Sequence, residues 1–151
     1  MPKTEKPLIV VQRRWTALMA QERPKWALWC AMIATVAGAA GICLLAGNIL
    51  SLWAILSVSL GGGIGIVMQL AGRTVHYRYG FFASGLALFA SGFALVVGNC
   101  GVGVFSASCA HTLSAVWTAH PGVVLGAMAG AVILAYVTGF RRVGISELLR
   151  E

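Results

Sequence analysis

The chain predicts an all-α integral membrane protein: four transmembrane helices forming two hairpins, both termini cytoplasmic, with an N-terminal interfacial helix as one reading of the leading segment. Three observations carry this expectation. The first is composition: over 151 residues, 59% are hydrophobic and 10% charged, and the mean hydropathy is +0.86. A water-soluble fold of this size has too little interior to cover so much apolar surface. The second is the presence of four apolar runs near 26–47, 51–72, 81–98 and 122–140. Each falls in or close to the roughly 17 to 25 residues that a helix needs to cross a hydrocarbon core of about 30 Å. The third is where the charge sits. Of the eleven Lys and Arg, six (Lys3, Lys6, Arg13, Arg14, Arg23 and Lys25) precede the first run, Arg73 and Arg78 lie between the second and third, and Arg141, Arg142 and Arg150 follow the last.

Those positions are on the same side of successive spans. Cytoplasmic loops carry the excess of basic residues, so the pattern places both termini and the 73–80 stretch in the cytoplasm of a bacterial inner membrane. The formal charge of +7 is therefore read as topology, with added attraction to anionic lipid headgroups. A nucleic-acid partner would require cations gathered on one face with polar or aromatic readers among them, and this sequence does not gather them.

Residues 1–25 are the main polar segment. On a helix, Leu8, Val11, Trp15, Leu18 and Glu22 fall near one face and Arg13, Arg14 and Gln21 elsewhere, a pattern suited to a helix lying on the membrane surface; a partly ordered tail is the other reading. Pro24 suits the opening of the first span, where its missing N–H costs nothing, and Trp26 and Trp29 match interface depth. Gly47-Asn48 is a helix stop and the turn after it is short and uncharged. The second span ends at Arg73-Thr-Val-His-Tyr-Arg-Tyr-Gly80, expected to be a cytoplasmic hinge with Arg73, His76 and Arg78 as its polar groups. The 99–121 loop is uncharged, faces the periplasm on this topology, and has the periodicity of a short helix ended by Pro121. Residues 141–151 form a cytoplasmic tail.

Within the spans, small residues recur at i, i+4. Ser57, Gly61, Gly65 and Gln69 form one stripe and Gly122, Gly126 and Gly130 another, the second flanked by Ala127, Ala131, Ala135 and Gly139. Lipid tails are as apolar as leucine, so membrane helices associate through close backbone approach, which small side chains permit. These residues are the expected packing interface, either within the chain or with a partner helix.

The expected chemistry is sparse. No Asp, Glu, Lys, Arg or His lies inside a proposed span, which removes the usual groups of proton relays and ion pathways. The chain is similar in size to the small multidrug-resistance transporters but lacks the buried glutamate of their first helix. Cys100 and Cys109 fall in a periplasmic, oxidising setting and are disulfide candidates; a metal site with His111 and His120 is the alternative, although the spacing fits no compact zinc pattern. The long loop also looks like that of the membrane thiol oxidases in its cysteine pair, yet Cys43 stands alone where their second pair belongs. Gly61-Gly-Gly-x-Gly65 lies mid-span with no lysine after it, so it reads as packing and not as a phosphate cradle. No catalytic residue, cofactor or metal is expected.

Residues 61–72, 73–79 and 86–99 resemble small uncharacterised four-helix proteins of bacterial inner membranes, a resemblance that implies the setting and supplies no activity. The functional expectation is a non-enzymatic interaction protein, an accessory subunit, assembly factor or immunity-type protein, acting through its helix faces and the 99–121 loop. Its partners would be the lipid bilayer and another membrane protein or a second copy of itself. A small oligomeric passive transporter or channel is the alternative.

Overall fold

A computed structural model describes residues 7–46, 49–101 and 107–140. Among them are six helices, α1 (Pro7–Ala20), α2 (Pro24–Ala46), α3 (Leu50–Gly72), α4 (Arg78–Cys100), α5 (Ala107–Ala119) and α6 (Pro121–Thr138), and no strand. α2, α3, α4 and α6 are long and apolar enough to cross a membrane. Gly47, the expected end of the first span, and the 141–151 tail lie outside the described residues.

Three of these helices start at residues whose chemistry suits the position. Pro7, Pro24 and Pro121 each open a helix, where the fixed φ is helical and no N–H is lost. α4 starts at Arg78, earlier than the expected Phe81, so Arg78 belongs to a helix and not to the connecting loop. α3 ends at Arg73, which takes the left-handed conformation (φ 49°, ψ 40°) that usually falls to glycine at a helix end.

The interior is made of small residues and the exterior of large ones. α2 buries Ala27, Ala31, Thr35, Ala39, Ile42 and Ala46, a three-to-four-residue spacing that keeps one stripe inward. α4 buries Ala83, Ser84, Ala87, Ala90, Ser91 and Ala94. Outside, Leu44 is 86% exposed, Leu70 74% and Phe89 68%. In water this arrangement would leave the larger hydrophobic area wet; against lipid it costs nothing, and the small interior allows backbone contact. Ile42, Ile64, Met68, Leu95 and Val124 are buried as well, and Trp53 is the largest of the buried side chains, its indole N–H donating to the Ser91 carbonyl at 3.2 Å.

Contacts run around a four-membered ring: α2 on α3, α3 on α6, α6 on α4, and α4 on α2, with α3 also meeting α4 across the middle. Gly38 faces Leu60 and Gly72 faces Ala27, so α2 and α3 are antiparallel. Ser84 donates to the Val132 carbonyl at 3.0 Å and Gly80 faces Tyr136, so α4 and α6 are antiparallel as well. One end of the bundle thus holds α1, the 73–77 connection and the close of α6. The other holds α5, which packs on α4 and α6.

Candidate functional site

Three places gather the residues singled out in the sequence. The first is the α3–α6 seam. Ser57, Gly61 and Gly65 are buried, and a Cβ on Gly61 would lie 2.8 Å from the C and Cα atoms of Ala131, while one on Gly65 would lie 2.8 Å from the Ala135 carbonyl oxygen. The partner stripe on α6 is Ala127, Ala131 and Ala135. The Gly122, Gly126 and Gly130 stripe is turned away from it: nothing lies within 4 Å of a Cβ on Gly122 or Gly126, and Gly130 meets only the Val58 side chain. Adjacent helical positions differ by about 100°, so the glycine stripe lies at the edge of the α3 contact and not at its centre. Gly122 and Gly126 instead border a groove of about 460 Å³ with Ala54, Ile55, Val58 and Ser59. Gln69 also leaves the seam. Each i, i+4 step advances about 40° around the helix, so three steps carry Gln69 about 120° from Ser57, and Met68 and Gly72 take the inward positions.

The second place is the α5 end. Cys100 and Cys109 are joined by a disulfide with Cα atoms 5.1 Å apart, which leaves neither thiolate free to hold a metal. His111 and His120 are exposed, and among the described residues no group of three His, Cys, Asp or Glu could hold a metal ion. Leu113 and Val116 rest on the cluster of Ile42, Trp53, Leu95 and Val124. Between α4, α5 and α6 lies a groove of about 490 Å³ lined by Leu95, Leu113, Val116, Trp117, Val124 and Met128 among others, nearly all apolar.

The third place is the 73–77 connection, expected as a cytoplasmic hinge, which is clamped on both sides. Thr74 and Val75 are buried. The Thr74 hydroxyl donates to the Gly139 carbonyl at 2.9 Å, fastening the connection to the end of α6. The Glu22 carboxylate accepts from the Val75 N–H at 2.7 Å and the His76 N–H at 3.0 Å, and it also meets the Tyr79 hydroxyl. Beside it the Arg23 N–H donates to the Gly72 carbonyl at 2.8 Å. His76 is half-buried and its Nδ1 accepts from the Arg78 N–H at 3.3 Å. Sequence reasoning placed Glu22 on the apolar face of an amphipathic helix; α1 in fact ends at Ala20, and Glu22 sits in the turn that follows. No local signal reveals this, because its partners are more than 50 residues away.

Comparison of the chain with protein families, curated proteins and solved structures gives no match.

Proposed function

We propose that the protein is a non-enzymatic, multi-pass component of a bacterial inner membrane, built as two helical hairpins with cytoplasmic termini, and that it works by holding another membrane protein or a second copy of itself. The observation that carries this is the outer face of α6. Gly122 and Gly126 have open space above them beside the α3–α6 groove, the surface relief that close helix approach uses, and the chain's own packing does not occupy it. The α5 groove, braced by the Cys100–Cys109 disulfide, offers a second apolar surface at the periplasmic end.

Orientation has two independent supports. Arg13, Arg14, Arg23, Lys25, Arg73 and Arg78 all belong to the α1 and 73–78 end, as expected for a cytoplasmic face. The disulfide lies at the opposite end, as expected for an oxidising compartment.

The test is purification in mild detergent with native mass spectrometry and in-membrane crosslinking. The wild type should run with a partner or as an oligomer, and Gly126→Leu should release it while leaving the helical content unchanged. A lone monomer that captures nothing on crosslinking would refute the reading. Passive conduction is the second reading, favoured by the buried, unpartnered hydroxyls of Ser57 and Ser91; solute flux in proteoliposomes that is lost in Ser57→Ala would establish it instead.

A further inference from the structure

We infer that the groove between the end of α1 and the last turn of α3 binds the headgroup of an anionic, hydroxyl-bearing phospholipid of the phosphatidylglycerol type. The groove is lined by Gln21, Gln69, Leu70 and Arg73 and measures about 330 Å³. The grooves at α4–α5–α6, α3–α6 and α2–α4 are almost wholly apolar by comparison. Gln69 and Arg73 are four residues apart and share a side of α3, and Gln21 meets them from the turn after α1. Among the described residues, neither Gln amide nor the Arg73 guanidinium has a hydrogen-bond or ion-pair partner. Gln69 is half-buried one turn inside an apolar helix, and it opens onto a cleft that a ligand can enter.

Charge selects the ligand. This end of the bundle carries Arg13, Arg14, Arg23, Lys25, Arg73 and Arg78 against one described carboxylate, and that carboxylate, on Glu22, is committed to the 75–76 amides. An anion is therefore favoured. The planar Arg73 fork suits a phosphodiester, while each glutamine offers both a donor and an acceptor, matching phosphate oxygens and glycerol hydroxyls together. A choline headgroup would set its own cation near Arg73 and supply no donor. Below the groove, Leu70 and Ile66 are exposed on the outer face of α3 and give an acyl chain a surface to follow. Arg73 itself holds a left-handed backbone, a conformation that costs a non-glycine residue and that more often accompanies a functional position.

The inference rests on the membrane reading above, and the experiment separates the two. Full-length protein in mild detergent is titrated with phosphatidylglycerol, phosphatidylcholine and inorganic phosphate, and bound lipid is counted by native mass spectrometry. Wild type should hold one phosphatidylglycerol with about fivefold preference over phosphatidylcholine, the effect of one well-placed cation. Arg73→Gly removes the cation while easing the backbone, so its Tm should be no lower than wild type and the preference should vanish; Gln69→Leu should weaken it. Arg78→Gln should leave it in place. Preference unchanged in Arg73→Gly, or lost equally in Arg78→Gln, would overturn the site in favour of none or of diffuse attraction. Displacement of lipid by millimolar phosphate would overturn the lipid as the source. Release of the protein from membranes without detergent would instead sink the membrane reading.

Discussion

Glu22 shows how much a single side chain can hold. Val75 is buried, and the Glu22 carboxylate is the acceptor for its N–H, so deleting the carboxylate strands a buried donor. Charge-assisted hydrogen bonds contribute about 1.5 to 3 kcal/mol, and an unsatisfied buried group costs a similar amount. Glu22→Ala should therefore lower stability by about 2 kcal/mol, read as a lower Tm in detergent, with Glu22→Gln losing less because its amide oxygen still accepts. Arg73 works in the opposite sense. Relief of its left-handed backbone is worth about 1 kcal/mol or more, partly offset by the larger unfolded-state freedom of glycine, so Arg73→Gly should match or exceed wild-type stability. Neither role could be read from the sequence. Glu22 acts on amides made available by the 73–77 backbone path, and nothing in the residues around Arg73 signals its left-handed backbone.

At the scale of elements, the small-residue stripes were legible but their assignment was not. Both glycine stripes have the right spacing, yet the Gly61 stripe is pressed against the α6 backbone while Gly122 and Gly126 face outward. Spacing gives the helical face; only the arrangement of neighbours gives its partner. The two glycines predict contrasting outcomes. Gly61→Ala drives a methyl into the Ala131 backbone, which cannot yield as a flexible side chain can, and should cost about 1 to 3 kcal/mol. Gly126→Ala should stay within about 0.5 kcal/mol in the monomer and weaken assembly. Differential scanning in detergent reads the first effect and crosslinking yield the second. The Cys100–Cys109 disulfide was legible from the expected oxidising side of the loop and from its length. Cys109 is the one buried residue of α5, so the helix's hold on the bundle depends on that bond together with Leu113 and Val116. Cys100→Ser should make α5 amides exchange faster, by about the 2 to 3 kcal/mol that closing a short loop contributes, while α3 and α4 keep their protection. Equal loosening of all helices would mean that the disulfide braces the whole bundle.

At the scale of the whole molecule, the four long helices were the most legible feature, because bilayer thickness imposes a length and a composition that few other constraints imitate. Helix starts were less legible: apolarity marks where a helix meets lipid, and α4 continues past that point to Arg78 because the clamped connection, not the bilayer, decides its first turn. The proposed orientation rests on two quantities of different physical origin, the distribution of basic side chains and the position of the disulfide. Reporter fusions after residues 77, 110 and 151 should give cytoplasmic, periplasmic and cytoplasmic signals in turn. Neutralising Arg73 and Arg78 together gives the sharper measurement. Basic residues near span ends set the orientation, so if these two dominated, their loss would let the middle of the protein invert. The Glu22 clamp and the Thr74 to Gly139 bond instead tie the connection to the α1–α2 turn and to the end of α6, each close in sequence to further arginines. The fusion after 77 in the double variant should therefore remain cytoplasmic, and a switch to the periplasm would show that charge at the connection outweighs the rest of the fold.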